Sequence, residues 1–227
     1  MHLRRFQFIV TLLLASCLLV ASQPLPAQNP VPAQAPHRQT STPYTGDLSI
    51  FETPGRDEQL HINQVMDTLA IVPGKTVADI GAGSGWFTVR AAKRVTATGT
   101  VYAVDINPRA IQYIDKRVKD DELRNVKTIL SRPDNPELPP GSIDAVLLLK
   151  TYHEVANPVA LLQNLHTSLR PNARVGIIDR DGNGADHGVD RQIVIREAGQ
   201  AGYRLLGEHD ELVTSDRVDY FLVFVPK

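Results

Sequence analysis

Short apolar runs alternate with amphipathic stretches along most of this chain of 227 residues, and that alternation constrains its fold more than any other feature. The β-type runs are TVADI (76–80), GTVYAVDI (99–106), VKTILS (126–131), SIDAVLLL (142–149) and VGIIDR (175–180). They are close to continuously apolar instead of alternating, the pattern of parallel strands covered on both faces by helices. Between them, WFTVRAAKRV (86–95), PRAIQYIDKRVKDD (108–121) and PVALLQNLHTSL (158–169) place apolar residues at helical spacing, and Pro108 stands where a first helical residue is expected. Further helices are expected over Asp57–Ala70 and Arg191–Ala201. Near the C-terminus, YRLLGEHDEL (203–212) and VDYFLVFVP (218–226) are joined by only a few polar residues. That is too short for a crossover helix, so the last pair is expected to be an antiparallel hairpin.

The N-terminus is a different kind of sequence. His2, Arg4 and Arg5 precede an apolar run from about Phe6 to Ala21, and small residues follow. This is the layout of a secretory signal. The run is short for a membrane span, which needs about 20 residues. Residues 1–22 therefore read as a signal peptide cleaved near Ser22 or Ala27. An uncleaved anchor is the alternative, and LASC (14–17) also resembles a lipidation site at Cys17, although the apolar run continues past it. Each version puts the folded part outside the cytoplasm, periplasmic or secreted. Residues 23–50, rich in Pro, Gln and Ala, read as a disordered linker, and 51–227 as the domain.

Charge is nearly balanced, with 24 Lys plus Arg against 25 Asp plus Glu, which argues against a nucleic-acid partner. Membrane contact is expected only through an uncleaved or lipidated N-terminus. One cysteine excludes an intrachain disulfide and a cysteine-based structural zinc site.

In VADIGAGSGW (77–86), Gly81, Gly83 and Gly85 follow the first strand and open a helix, the place where open α/β sheets bind cofactors. A dinucleotide fingerprint would put a third glycine where Trp86 stands, and Asp79 would repel a pyrophosphate. Both residues favour a cationic ligand without phosphates over a nicotinamide dinucleotide. VADIGAGSGWFT followed by VYAVDINP resembles motif I and the next acidic motif of the class I S-adenosylmethionine-dependent methyltransferases, and the wording is similar to isoaspartyl and small-molecule members. The resemblance runs from about Asp57 to Pro226. It implies a Rossmann-like doubly wound α/β sheet of seven strands, mostly parallel with an antiparallel C-terminal hairpin, and S-adenosylmethionine as cofactor. Asp79 would then face the methionine end, and Gly81, Ala82, Gly83 and Gly85 would let the backbone approach. Asp105 would accept both ribose hydroxyls, and Ile106 would pack on the adenine. Asp79 as a helix cap and Asp105 as a turn residue are the plainer readings. The family's acidic partner for the adenine amino group aligns with Arg132, which cannot accept, leaving Asp134 or a backbone group. Asp144, opening the fourth strand, matches a residue of structural role.

On the substrate side, LLKTYHEVANP (148–158) follows the fourth strand and is similar to a stretch in ubiquinone-biosynthesis and arsenite methyltransferases. Lys150, Tyr152 and His153 are the candidates for catalytic contacts, with Lys150 also a cofactor candidate and Glu154 beside them. An imidazole titrates near neutrality and can take a proton from an acceptor. The alternative is that His153 and Glu154 only orient the following helix. In DRDGNGADHG (179–188), Asp179, Asp181, Asp186 and His187 lack calcium-loop spacing, so no metal ligands are expected; His187 reads better as an acceptor contact. Arsenite-type chemistry needs thiols, which Cys17 in the signal cannot supply. The expected function is methyl transfer to O, N or C of a small acceptor. The alternative is an exported, non-catalytic nucleoside- or partner-binding module.

Overall fold

The computed structural model describes residues 40, 44–183, 186–213 and 217–227. The segment expected as a signal peptide, Cys17 with it, and residues 23–39 and 41–43 of the expected linker lie outside the described residues. Among the described residues, no helix is long and apolar enough to cross a membrane.

Seven strands form one sheet: β1 (Thr76–Ile80), β2 (Thr100–Asp105), β3 (Val126–Leu130), β4 (Ile143–Leu149), β5 (Leu169–Asp179), β6 (Tyr203–Glu208) and β7 (Tyr220–Pro226). Their order is β3-β2-β1-β4-β5-β7-β6. The pairs from β3 across to β5 are parallel, while β7 runs antiparallel to both β5 and β6. The doubly wound sheet with its antiparallel hairpin therefore agrees with the expectation. The strand order reverses between β1 and β4, the switch point beyond which such sheets open a ligand crevice.

The helices are α1 (Arg56–Gln59), α2 (Ile62–Thr68), α3 (Trp86–Val95), α4 (Pro108–Asp120), α5 (Pro158–His166) and α6 (Arg191–Gln200). Both sheet faces are covered. Tyr220, Leu222 and Phe224 of β7 join one apolar cluster with Tyr152, Leu162 and Tyr203, while Phe221 and Val223 join the other with Leu69, Trp86 and Phe87. Both rows of β7 side chains are buried, as suits a strand placed between β5 and β6. Asp144 pins the start of β1 to β4. Its carboxylate accepts from the Thr76 amide at 2.9 Å, Lys75 Nζ at 3.1 Å and Arg170 Nη1 at 2.8 Å.

Two local expectations change. The single helix over 57–70 is two helices, because His61 takes a left-handed φ of 40° between the buried Leu60 and Ile62. The helical stretch expected over 158–169 ends at His166, and Leu169 already opens β5, which runs on through RPNA (170–173). Asn172 at φ 66° carries the irregularity, and the register jumps between the Ile143–Leu169 and Ala145–Arg174 pairs. Proline cannot donate to a ladder and is accommodated at such bulges.

Candidate active site

A cleft of about 620 Å³ opens beyond the carboxyl ends of β1, β2 and β4, within the roughly 300–1,000 Å³ typical of small-molecule sites. Asp79, near the end of β1, lies on its floor with 3% of its surface exposed. Thr88 Oγ1 donates to its Oδ2 at 2.6 Å. Burial raises its pKa to about 7, the Thr88 hydrogen bond opposes the rise, and the Asp105 charge adds to it. Gly85 is the N-cap residue of α3, and Asp79 reaches the helix from outside it, bonded to both the side chain and the main chain of Thr88 in its first turn.

Gly81, Gly83 and Gly85 all have left-handed φ, at 74°, 55° and 74°, which glycine adopts without a steric cost. The three glycines do not all clear space toward the cleft. A Cβ on Gly81 would lie 2.3 Å from Thr151 Cγ2, and one on Gly85 3.1 Å from Ile114 Cγ1. Both positions are emptied for the chain's own packing. A Cβ on Gly83 would meet only the Phe51 ring, at 3.5 Å. Gly81, Ala82, Gly83 and Ser84 line the cleft, whereas Gly85 does not.

Asp105 ends β2 facing the glycine turn. Its Oδ2 accepts from the Gly83 amide at 2.9 Å and its Oδ1 from the Asn107 amide at 2.8 Å. A carboxylate has about four lone-pair sites, so both oxygens retain capacity toward the cleft. Burial raises the Asp105 pKa against these backbone donors. Ile106 lines the cleft with 43% of its surface exposed, an apolar platform beside the carboxylate. Ser131, Arg132 and Pro133 close that end. Asp134 does not line the cleft, and its carbonyl accepts from Asn164 Nδ2 at 2.7 Å on the way to α5.

Residues 44–50, expected as the end of the linker, contribute Tyr44 and Leu48 to the cleft wall, followed by Phe51. Tyr44 meets the Phe51 ring edge-to-face at 5.5 Å. The segment is fastened through Glu52, whose carboxylate accepts from Ser84 Oγ at 2.6 Å and pairs with the Arg117 guanidinium. Trp86 lines the cleft between two guanidinium groups, Arg56 at 4.4 Å and Arg90 at 4.0 Å from its ring centroid.

The opposite wall comes from the loop after β4. Lys150, Thr151, His153 and Glu154 line the cleft. Tyr152 does not: it is fully buried, and its hydroxyl donates to Glu197 Oε2 at 2.8 Å. This removes Tyr152 from the catalytic candidates. His153 is 5% exposed and fixed by Asp179 at the end of β5. Asp179 Oδ1 lies 2.8 Å from His153 Nδ1, and its Oδ2 accepts the His153 amide at 3.1 Å. Asp179 also accepts the Arg180 amide at 3.0 Å. A carboxylate engaged by main-chain donors is an acceptor, so Asp179 is matched to a hydrogen on Nδ1, and Nε2 is the ring nitrogen turned toward Glu154. That Nε2 lies 3.8 Å from Glu154 Oε1. Burial raises the Glu154 pKa to about 7, His153 opposes the rise, and Asp179 and Asp105 add to it.

The acidic loop after β5 divides. Asp181 Oδ1 accepts the Arg191 amide at 3.1 Å, and Asp186 Oδ1 accepts the Asn183 amide at 3.0 Å, so both serve turns. His187 instead reaches the cleft and stands edge-on to His153, ring centroids 5.8 Å apart. Ligating atoms of His153, Glu154 and His187 lie within 4.8 Å of one another. The sequence treated the two loops separately. Adjacent parallel strands β4 and β5 release them side by side, and that adjacency was the available signal.

Residues 77–172 match the family model described as a methyltransferase domain. The demethylmenaquinone methyltransferase of Geobacillus sp. (strain WCH70) is 26% identical over 110 residues, covering 48% of this chain and 47% of that protein. The arsenite methyltransferase of Halobacterium salinarum is 28% identical over 110 residues, 48% of this chain and 28% of its own length. The chain thus spans half or less of these relatives. A solved S-adenosylmethionine-dependent methyltransferase from Aquifex aeolicus superposes with a TM-score of 0.68 at 25% identity, covering 79% of this chain and 97% of that one. Fold and comparisons together support a class I S-adenosylmethionine-dependent methyltransferase domain, with S-adenosylmethionine the implied cofactor.

Proposed function

We propose that the chain is an exported S-adenosylmethionine-dependent methyltransferase acting on a small acceptor. The observation that carries this reading is the arrangement of one cleft: the buried Asp79 and the half-buried Asp105 on one side, and His153 on the other with its Nε2 toward Glu154. A buried carboxylate with a raised pKa suits a cationic ligand, because a positive charge offsets its desolvation. In this reading Asp79 holds the ammonium end of the cofactor, directly or through water. Asp105 accepts the ribose hydroxyls through its remaining lone pairs, and Ile106 packs against the base. When bound, the cofactor supplies an electrophilic methyl group on a sulfonium.

The chain's own contribution is positioning and proton handling. His153 Nε2 takes the proton of an acceptor hydroxyl or amine, and Asp179 stabilises the imidazolium that forms. Leu149, Val155 and Leu161 make the neighbouring wall apolar, which fits a hydroxylated acceptor with an apolar body. The quinone-methylating relatives point the same way, while an arsenite acceptor does not fit a chain whose one cysteine lies at position 17.

Calorimetry with the full chain tests the reading. Micromolar binding of S-adenosylmethionine that is lost in Asp105→Ala supports it. Binding of NADH instead overturns it, and binding of neither leaves a non-catalytic module. Export is tested by fractionating cells that produce the full chain; a mature N-terminus near Ser22 or Ala27 supports it, and recovery of the intact chain in the cytoplasm overturns it.

A further inference from the structure

The grouping of His153, Glu154 and His187 goes beyond cofactor binding, and we propose that these three side chains form a site for a divalent first-row transition ion at the acceptor end of the cleft. Two imidazoles and one carboxylate are the donor set of open catalytic zinc sites, which keep a further position for water or substrate. Ligands of that kind suit zinc and its neighbours better than magnesium or calcium, which take all-oxygen shells.

The contact behind His153 supports this independently of the cluster. A metal-ligating histidine characteristically donates its other ring N–H to a carboxylate, which fixes tautomer and ring orientation. Asp179 does this here: it is fully buried, accepts from Nδ1 at 2.8 Å and holds the His153 amide as well. Nε2 is thereby presented to Glu154 Oε1 at 3.8 Å, with the His187 ring edge-on. In a tetrahedral zinc site with bonds near 2.0 Å, donor atoms sit roughly 3.3 Å apart. The present separations, up to 4.8 Å, close to that by small side-chain movements of Glu154 and the exposed His187.

The site's role rests on the methyltransferase reading and replaces the part given there to His153 as proton acceptor, because the ion takes the same Nε2 lone pair. The open position takes the oxygen of the acceptor's hydroxyl, and the ion lowers that group's pKa. The hydroxyl proton leaves to solvent, and the oxygen's electron pair forms the bond to the methyl carbon. The carbon–sulfur bond of S-adenosylmethionine breaks with its pair returning to sulfur, giving a methyl ether and a neutral thioether. The ion's oxidation state does not change.

The test uses the untagged, metal-free full chain titrated with cobalt(II), read by visible absorption, with zinc stoichiometry determined by mass spectrometry. One equivalent per chain is expected, with the strong visible bands of four- or five-coordinate cobalt. Affinity falls at least tenfold in His187→Ala and is unchanged in His209→Ala, a histidine outside the cluster. Absent bands with no stoichiometric zinc overturn the site, as does binding that survives His187→Ala. Addition of azide shifts the bands if a position is open; bands that azide leaves unchanged overturn the acceptor role. Calorimetry with S-adenosylmethionine separates the two readings. Cofactor binding without metal overturns this site alone, and metal binding without the cofactor overturns the methyltransferase reading and the acceptor role while the ion site stands.

Discussion

Thr88 Oγ1 donates to Asp79 Oδ2 at 2.6 Å beneath the glycine turn, making that hydroxyl the closest support of a carboxylate that burial has pushed up to about 7. The folded pKa exceeds the ordinary 3.8, so the native state holds this proton more tightly than the unfolded chain. The stability associated with it is full below about pH 4 and is lost as pH rises toward 7, by at most about 1.4 kcal/mol per unit. A cationic ligand reverses the preference and expels the proton. Cofactor affinity is therefore expected to rise between pH 5 and 7, by up to about tenfold per unit. Calorimetry at pH 6 in buffers of different ionisation enthalpy should detect proton release, and Asp79→Asn should abolish it. A release that persists in Asp79→Asn would assign the proton to another group.

The glycine turn gives a paired prediction. Gly81→Ala imposes both a left-handed φ and a 2.3 Å collision with Thr151, whereas Gly83→Ala imposes the φ alone. A left-handed non-glycine residue costs roughly 1–2 kcal/mol, and the collision adds to that in the first variant only. Thermal or urea unfolding should rank Gly81→Ala clearly below Gly83→Ala. Equal losses would mean that Thr151 turns away at little cost.

The imidazole of His153 should be found as the Nδ1–H form. Long-range nitrogen–proton spectra of labelled full chain at neutral pH are expected to show a bare Nε2, with the assignment lost in Asp179→Ala. A ring carrying hydrogen on both nitrogens removes His153 as proton acceptor.

Glu52 fastens the segment that carries Tyr44, Leu48 and Phe51 to the glycine turn and to α4. Glu52→Ala should weaken cofactor binding by about three- to thirtyfold, mainly through faster dissociation, with a loss of stability near 1 kcal/mol. An unchanged dissociation rate means that the segment does not cover bound ligand.

Much of the fold is legible in the sequence. β1 begins and ends where the apolar run does, at Thr76 and Ile80, and α3 coincides with WFTVRAAKRV, because both are local patterns. The short connection between the last two strands fixed their antiparallel pairing. The site divided along the same line. Asp79 and Asp105 sit in a contiguous motif and do face the cleft. Tyr152 looked equivalent to His153, but sequence order does not say which way a single 3₁₀ turn presents its side chains, and one residue went into the core. Asp179 ends β5 and His187 lies in the loop after it, distant in the chain from His153 and adjacent only through the β4–β5 pairing. The room that Gly81 leaves for Thr151 is likewise a contact across 70 positions, invisible to any window.

The tryptophan between Arg56 and Arg90 has a practical consequence. It is the chain's one tryptophan, and it lines the cleft. Its ultraviolet emission therefore comes from a single place, under two cationic groups whose distance sets its intensity and colour. Whatever enters the cleft and moves Arg56 changes that light, so the molecule carries its own fluorescent gauge of occupancy.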